Sequence, residues 1–237
     1  VEVSEAEVRS LVSEEEARAK RDGRIVTEIK VESGGGELVV KVTTTPPIRR
    51  IRRITGYLAP TDRWNPGKLA ELRDRYSSMR RVEPERSGAS TGVLLRVHGV
   101  VCDSLVDGPS LRDVVFVQGC PHRCLGCQNP GSWDFDGGSL VDVGDIISLI
   151  PSSPLTSGVT FSGGEPFCQA SPLVEIAKHV KKKGLNLWVY TGYTWEELME
   201  FPDPAVRELL FYVDVLVDGR YLQEERDISL PYRGSRN

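Results

Sequence analysis

Three cysteines lie close together in the sequence and form its clearest candidate for a reactive site. Cys120, Cys124 and Cys127 follow a C-x3-C-x2-C spacing in a loop that also contains proline and glycine. Three thiols this close cannot all pair as disulfides, but all three can face one metal centre. Thiolates favour iron–sulfur clusters, zinc or copper(I). Structural zinc sites and iron–sulfur cubes normally take four ligands, so this loop leaves one position open.

A second candidate site is the segment Ser162-Gly163-Gly164-Glu165-Pro166, which follows a short apolar strand. Glycines at the end of a strand let a ligand approach the backbone without meeting a side chain. The carboxylate of Glu165 can accept a charge-assisted hydrogen bond from an ammonium group. Parallel α/β proteins place their chemistry at the C-terminal ends of strands, so both motifs are expected at one edge of a sheet.

The residues around the cysteines, FVQGCPHRCLGCQNP, resemble the cluster loop of radical S-adenosylmethionine (radical SAM) proteins. Gly126 stands where most of that superfamily has an aromatic residue, and this detail resembles the activating enzymes of anaerobic (class III) ribonucleotide reductase. The resemblance covers about residues 92–237. Weaker matches lie at 189–196, 213–219 and 107–112, where Ser110 replaces a glycine of the family.

The resemblance implies that a [4Fe-4S] cluster is ligated by Cys120, Cys124 and Cys127, with S-adenosylmethionine on the fourth iron. The implied cofactor-binding residues are Gly126, Cys127, Gln128, Gly163, Gly164 and Glu165. No catalytic residue is implied beyond the cluster and the cofactor. An electron from a ferredoxin- or flavodoxin-like donor would cleave the cofactor reductively. The resulting 5′-deoxyadenosyl radical would take a hydrogen atom from a glycine of the anaerobic ribonucleoside-triphosphate reductase.

The segment 52–76, RRITGYLAPTDRWNPGKLAELRDRY, resembles the C-terminal glycyl-radical segment of the anaerobic reductase itself, with Gly56 at the radical position. Residues 1–55 contain no cysteine, whereas the reductase has a cysteine-rich zinc site before this segment. The chain also lacks the reductase's large barrel. Two interpretations stay open: Gly56 is a turn glycine in a basic docking arm, or the segment mimics the reductase loop in cis.

Composition describes an ordinary globular protein, with 39% hydrophobic and 27% charged residues. No apolar run approaches the roughly 20 residues needed to span a bilayer, so no membrane partner is expected. Five cysteines, three of them clustered, fit a reducing cytoplasm better than a secreted disulfide framework. The net charge of −4 is uneven. Residues 46–86 hold eleven Arg/Lys against five Asp/Glu, a local charge of +6.

The pattern of elements predicts an α/β fold, a partial (open) β/α barrel of radical SAM type preceded by a small α+β N-terminal region. A helix at 4–22, capped by Ser4 and ended by Gly23, and a β-hairpin with glycines at its turn are expected first. A short helix at 68–76 and a linker at 77–91 follow. The predicted domains are 1–91 and 92–237. Further strands are predicted at 93–97, 114–117, 158–161, 187–190 and 213–217, and further helices at 140–150, 173–183 and 195–201.

Three alternatives remain beside the activase. One is an activase of another glycyl-radical enzyme, and another is a small-molecule radical SAM enzyme; Gly126 and the N-terminal segment argue against both. The third is a zinc- or cluster-binding adaptor whose basic arm holds nucleic acid. In an adaptor the Gly-Gly-Glu segment would have no purpose. His122 lies between two cysteines and cannot easily reach the same ion, so we interpret it as a loop residue.

Overall fold

The computed structural model describes residues 5–34, 37–45, 49–52, 90–227, 229–230 and 232–236. The chain forms two compact units, Val1–Arg50 and Ile51–Asn237. Most of the region between the N-terminal hairpin and residue 90 lies outside the described residues. The predicted helix at 68–76 and most of the predicted linker fall there, and the domain boundary at 91/92 stays a prediction.

The first unit contains the predicted helix and hairpin. The helix α1 spans Glu5–Arg21, and Gly23 follows it with a φ of 64°, as a C-terminal stop requires. The strands β1 (Val26–Gly34) and β2 (Glu37–Thr44) pair antiparallel, with Val31 opposite Val40. Both predictions are therefore confirmed. The predicted cap at Ser4 and part of the glycine turn lie outside the described residues.

The second unit is organised around a mixed sheet. Its strands are β4 (Leu94–Ser104), β5 (Arg112–Val117), β6 (Ser139–Asp142), β7 (Gly158–Gly163), β8 (Asn186–Tyr190) and β9 (Val215–Asp218). The strand β3 (Arg49–Arg52) precedes them in the chain, and the strands of the second unit lie in the order β9-β8-β7-β5-β4-β6. The neighbours β5, β7, β8 and β9 run parallel, whereas β4 is antiparallel to both β5 and β6. The prediction of an α/β fold is confirmed at this level.

In the described part of this unit, four α-helices accompany the sheet: α2 (Val143–Leu149), α3 (Ala170–Lys182), α4 (Trp195–Met199) and α5 (Pro204–Tyr212). The apolar stripe of α3, including Leu173, Ile176 and Val180, is fully buried, while its last turn is basic. All six residues of β5 are buried, as expected of a strand inside a parallel sheet. Burying these side chains supplies the main favourable free energy of the fold. No helix among the described residues is long and apolar enough to cross a membrane.

The helix predictions differ from the structure at two places. The predicted helix at 140–150 was wrong at its start, because residues Ser139–Asp142 form β6 and pair with β4. The helix α2 begins only after Asp142, whose extended backbone and side-chain bond from the Gly144 amide (2.7 Å) form the cap. The helix α5 was not predicted. Its signal was present in the sequence, because Asp203 caps it and Pro204 occupies its first position.

Candidate metal centre

The loops that follow the parallel strands meet at one edge of the sheet. The cysteine loop follows β5, and the Gly-Gly-Glu segment follows the neighbouring strand β7. The cysteine loop is closed at its base, because Gly119 N–H donates to the Ser132 carbonyl (2.8 Å) and Cys120 N–H to the Trp133 carbonyl (3.0 Å). The prediction that both motifs lie at C-terminal strand ends is confirmed.

The three cysteines are free thiols on one short loop. Cys120 is buried, whereas Cys124 and Cys127 are partly exposed, and the Cys127 amide donates to the Cys124 carbonyl at 3.1 Å. Among the residues that the structure describes, no three cysteine, histidine or acidic side chains are grouped tightly enough to hold a single metal ion. A single zinc ion needs ligands about 2.3 Å from one centre. An iron–sulfur cube distributes three thiolates over three irons, so each cysteine of the loop would bind a different iron atom.

Burial controls the protonation of these thiols. It raises the pKa of Cys120 to about 11, against hydrogen bonds from the backbone N–H groups of His122 and Arg123. Burial also raises the pKa of Cys124, and there the Tyr221 backbone N–H and the charge of Arg220 act in the opposite direction. At neutral pH both thiols therefore keep their protons until a metal displaces them. These backbone N–H groups favour the thiolate form that a metal requires.

The Gly-Gly-Glu segment is in direct backbone contact with the cysteine loop. The Gly164 amide donates to the Val117 carbonyl, and the Glu165 amide donates to the Gly119 carbonyl, each at 2.8 Å. A Cβ atom on Gly164 would lie 2.4 Å from the Gly119 oxygen, so no larger residue fits without moving backbone. Gly163 has a φ of 94°, which glycine adopts readily. The close approach of two backbones is the physical reason for both glycines.

The carboxylate of Glu165 is buried and bonded to protein groups. Its Oε1 accepts from the Phe167 amide (3.1 Å) and the Thr191 hydroxyl (2.8 Å). Its Oε2 accepts from the Gly192 amide (2.8 Å) and lies 3.0 Å from Nε2 of His122. The carboxylate thus connects the loops that follow β5, β7 and β8. Contact between Glu165 and the cofactor stays a prediction.

The other end of the cysteine loop lies beside a C-terminal segment. A Cβ atom on Gly126 would stand 2.5 Å from Oε1 of Gln223 and 3.2 Å from Cε1 of Tyr221, and Gly126 has a φ of 75°. An aromatic side chain at this position would meet that segment. Leu222 is held there because its amide donates to the Ser235 hydroxyl at 3.2 Å. The predicted Cys127 and Gln128 follow Gly126 in this loop and are partly buried.

Sequence reasoning missed four residues that surround Glu165: His122 as a buried side chain, Thr191, Gly192 and Tyr193. The ring of His122 is T-shaped against that of Tyr193, with centroids 4.5 Å apart. Its side chain is only 3% exposed. His122 is a loop residue, as interpreted, but its ring points inward. The local sequence gives no signal for this, because its partner Glu165 is distant along the chain.

The chain is similar in sequence to known proteins. The family described as "4Fe-4S single cluster domain" matches residues 106–237. The anaerobic ribonucleoside-triphosphate reductase-activating protein of Haemophilus influenzae is 38% identical over 141 residues, which are 56% of this chain and 88% of that protein. The protein of that name from Escherichia coli K12 is 31% identical over 141 residues, 56% of this chain and 89% of that protein.

Two further similarities were found. The pyruvate formate-lyase-activating enzyme of Clostridium pasteurianum is 38% identical over 126 residues, 49% of this chain and 53% of that protein. The crystal structure of QueE from Escherichia coli aligns with a TM-score of 0.33 at 17% identity, covering 43% of this chain and 54% of that chain.

A parallel-rich sheet that carries three free thiols beside a Gly-Gly-Glu turn defines a single-cluster [4Fe-4S] enzyme of the radical SAM class. Within that class, the chain belongs to the family of anaerobic ribonucleoside-triphosphate reductase-activating proteins. Its cofactors are a [4Fe-4S] cluster and S-adenosylmethionine, and its chemistry is that of an oxidoreductase. The predictions of family, enzyme class and cofactors are confirmed.

Proposed function

We propose that this chain generates a glycyl radical on an anaerobic ribonucleoside-triphosphate reductase. The observation that carries the proposal is the direct contact of the two motifs, with the Glu165 amide 2.8 Å from the Gly119 carbonyl oxygen. This contact puts a thiol loop and a side-chain-free backbone surface side by side. The names of the relatives supply the target, since the proteins from Haemophilus influenzae and Escherichia coli are called activators of that reductase.

The residues of the chain hold and orient the cofactors. Cys120, Cys124 and Cys127 would hold the cluster, and the backbone at Gly163 and Gly164 would receive the amino group of S-adenosylmethionine. When bound, the cluster and S-adenosylmethionine supply the reductive cleavage that produces the hydrogen-abstracting radical. The turn at Gly126, with Cys127 and Gln128, would lie near the adenine. The buried groups around Glu165 exclude water beneath this surface.

The sheet supports the finer proposal of a partial, open β/α barrel. Trp188, Tyr190, Val215 and Val217 form a buried cluster to which Tyr232 is added, with the rings of Trp188 and Tyr232 5.4 Å apart. Side chains alternate along a strand, so Leu187 and Val189 face the other side, where they are also buried. Parallel strands are buried on both faces in barrels as well as in doubly wound sheets, so this burial agrees with the proposed barrel.

A ferredoxin- or flavodoxin-like protein is the proposed electron donor. Leu125 lies between two cysteines and is 77% exposed, and the nearby Leu222 is 42% exposed. Exposed apolar side chains beside the cysteine loop offer a place where a donor can approach the cluster closely. Electron transfer from such a donor to the cluster would be measured anaerobically with each purified protein in turn.

The experiment that tests the proposed function is anaerobic reconstitution with iron and sulfide, followed by reduction with dithionite and addition of S-adenosylmethionine. We expect a reduced-cluster electron paramagnetic resonance (EPR) signal that the cofactor alters, formation of 5′-deoxyadenosine, and a glycyl doublet once the reductase is added. Zinc in place of iron, with salt-sensitive binding to polynucleotide, would favour the adaptor and overturn the proposal.

A second candidate target is a pyruvate formate-lyase, and the relative from Clostridium pasteurianum is the observation that favours it. The same assay distinguishes the two targets. Each glycyl-radical enzyme is offered separately at equal concentration, and the yield of the glycyl doublet is compared. We expect the reductase to give the larger yield. This chain matches 88–89% of the length of the relatives named for the reductase, but only 53% of the pyruvate formate-lyase-activating enzyme.

A further inference from the structure

The carboxylate of Glu165 has no acceptor position left for a ligand. A carboxylate offers about four lone-pair sites on its two oxygens. Each oxygen of Glu165 has two protein partners, at distances of 2.8–3.1 Å. The side chain is 1% exposed. An ammonium group arriving from outside would therefore have to displace one of these buried donors and leave it unpaired, at a substantial cost in free energy.

The partner of Glu165 across the site is the ring of His122, which sits in a fitted slot. Since a carboxylate can only accept, Nε2 of His122 carries a proton and donates it over 3.0 Å. Tyr193 closes one side of the slot, and Tyr193 is itself packed against Phe201 with ring centroids 5.2 Å apart. Gly192 closes another side. A Cβ atom there would lie 2.2 Å from Cδ2 of His122 and 2.6 Å from its Nε2.

The same histidine belongs to the turn between two cysteines of the loop. His122 lies two residues after Cys120 and two residues before Cys124. Arg123 has a φ of 47°, in the left-handed region, so the turn between Cys120 and Cys124 is tight. Fixing the His122 ring therefore fixes the backbone of the turn that carries both thiols.

We propose that His122 and Glu165 form a clamp that positions the cysteine loop against the glycine segment. His122 is the positioning residue on the cysteine side. Glu165 serves the clamp, so the amino group of the cofactor is received by the backbone of the segment and not by this carboxylate. The inference rests on the proposed function only in taking Cys120 as a ligand of the cluster. Buried groups that orient metal ligands typically change metal affinity 10- to 100-fold when they are replaced.

The test uses the full chain with the variants His122→Ala, His122→Gln and Gly192→Ala, and His179→Gln as a control. His179 lies in the last turn of α3, and its ring nitrogen Nε2 is 3.0 Å from the Ile150 carbonyl oxygen. The readouts are iron content, the midpoint potential of the cluster from EPR-monitored titration, and the dissociation constant of S-adenosylmethionine on the unreduced cluster. Unfolding temperature of the cluster-free protein is measured in parallel.

We expect His122→Ala to lose about tenfold or more in iron affinity. The midpoint potential should become more negative, since hydrogen bonds to the cluster sulfurs help to set it. His122→Gln keeps an N–H donor and should recover part of both properties. Gly192→Ala should change iron affinity and midpoint potential in the same direction as His122→Ala. Its methyl group displaces the His122 ring, although all hydrogen-bond donors to Glu165 are retained. His179→Gln should match the wild-type protein.

A double-mutant cycle with Glu165→Gln separates the clamp from direct cofactor binding. If Glu165 acts through His122, the double variant should be no worse in potential and iron affinity than the worse single variant. If the losses of cofactor affinity in the two single variants add up in the double variant while the midpoint potential is unchanged, Glu165 binds the cofactor directly. That result would overturn the clamp. Wild-type values in both His122→Ala and Gly192→Ala would overturn it as well. A reductase that gains no glycyl doublet while these results hold would count against the proposed target alone.

Discussion

The backbone N–H of Glu165 donates to the carbonyl oxygen of Gly119 at 2.8 Å, so the residue before the first cysteine is joined directly to the glycine segment. The neighbour of Glu165, Gly164, passes so near that a Cβ atom would lie 2.4 Å from the same oxygen. A cofactor that touches both motifs therefore meets a surface whose two halves are held together by backbone bonds. Side chains at either glycine would separate the halves.

Replacing Gly163 with alanine tests this surface. The residue has a φ of 94°, and an added Cβ atom would lie 2.8 Å from backbone atoms of Phe116 and Val117. We expect Gly163→Ala to weaken binding of S-adenosylmethionine by at least tenfold, because the C-terminal ends of β5 and β7 must move apart. Isothermal titration calorimetry on the reconstituted, unreduced protein measures the dissociation constant.

Gly184→Ala is the matched control for that variant. Gly184 has a φ of 71°, and an added Cβ atom would meet nothing within 4 Å. Alanine there should cost about 1–2 kcal/mol of stability from backbone strain alone, with cofactor binding unchanged. Equal cofactor affinity in the two variants would contradict the contact that we ascribe to Gly163.

The ligand set predicts a sharp difference among the five cysteines. Replacing Cys124 with alanine should abolish assembly of the cluster and cleavage of the cofactor, because only two thiolates of the set remain. Cys168→Ala should retain full iron content, since Cys168 lies outside the cysteine loop. Iron and sulfide analysis after reconstitution measures the difference. A full iron complement with cleavage activity in Cys124→Ala would disprove the proposed ligands.

Much of the site could be predicted from local spacing alone. The C-x3-C-x2-C loop and the Gly-Gly-Glu segment each occupy a few consecutive residues, and the apolar runs before them identify the strands that carry them. The bond between His122 and Glu165 could not be predicted, because it depends on β5 and β7 being neighbours in the sheet. Hydrophobic periodicity also predicted the wrong element at 140–142. These residues have a helical pattern, but they pair with β4 as a strand.

The thiol of Cys168 should react with alkylating reagents only at high pH. Burial, followed by the charge of Glu165, raises the pKa of this thiol to about 11. The thiolate is the reactive form, so the rate of reaction with iodoacetamide should rise about tenfold per pH unit until about pH 11. Mass spectrometry of peptides from the cluster-free protein measures this rate. A plateau near pH 9, the ordinary pKa of a thiol, would contradict the burial of Cys168.

A buried arginine should be essential for stability rather than for chemistry. Arg112 is fully buried at the start of β5, and burial lowers the pKa of its guanidinium to about 10. It donates to the Thr160 hydroxyl (2.8 Å), the Val159 carbonyl (2.7 Å) and Oδ1 of Asn186 (2.6 Å). Lysine keeps the charge but cannot make this fork of bonds. We expect Arg112→Lys to cost about 3 kcal/mol in the free energy of unfolding, because buried hydrogen bonds of a charged group are lost.

Urea denaturation of the cluster-free protein measures that cost. Arg207→Lys is the comparison, because Arg207 is exposed and its guanidinium donates to the Met199 carbonyl at 3.0 Å. Its replacement should change stability by less than about 0.5 kcal/mol. Similar values for the two arginine variants would show that the bonds of Arg112 are replaced by water.

The last prediction concerns residues 52–76. It distinguishes a basic docking arm from a mimic of the reductase loop in cis. If residues 52–76 mimic the reductase loop in cis, the reduced, reconstituted chain with S-adenosylmethionine should develop a glycyl EPR doublet without any reductase. The doublet should be absent from Gly56→Ala and retained in Gly67→Ala, whose glycine lies in the same segment. Labelling glycine with carbon-13 would broaden the signal through hyperfine coupling and so identify the residue type. If the segment is only a basic docking arm, no variant gives a doublet, and Gly56→Ala activates the reductase as fast as the wild-type chain.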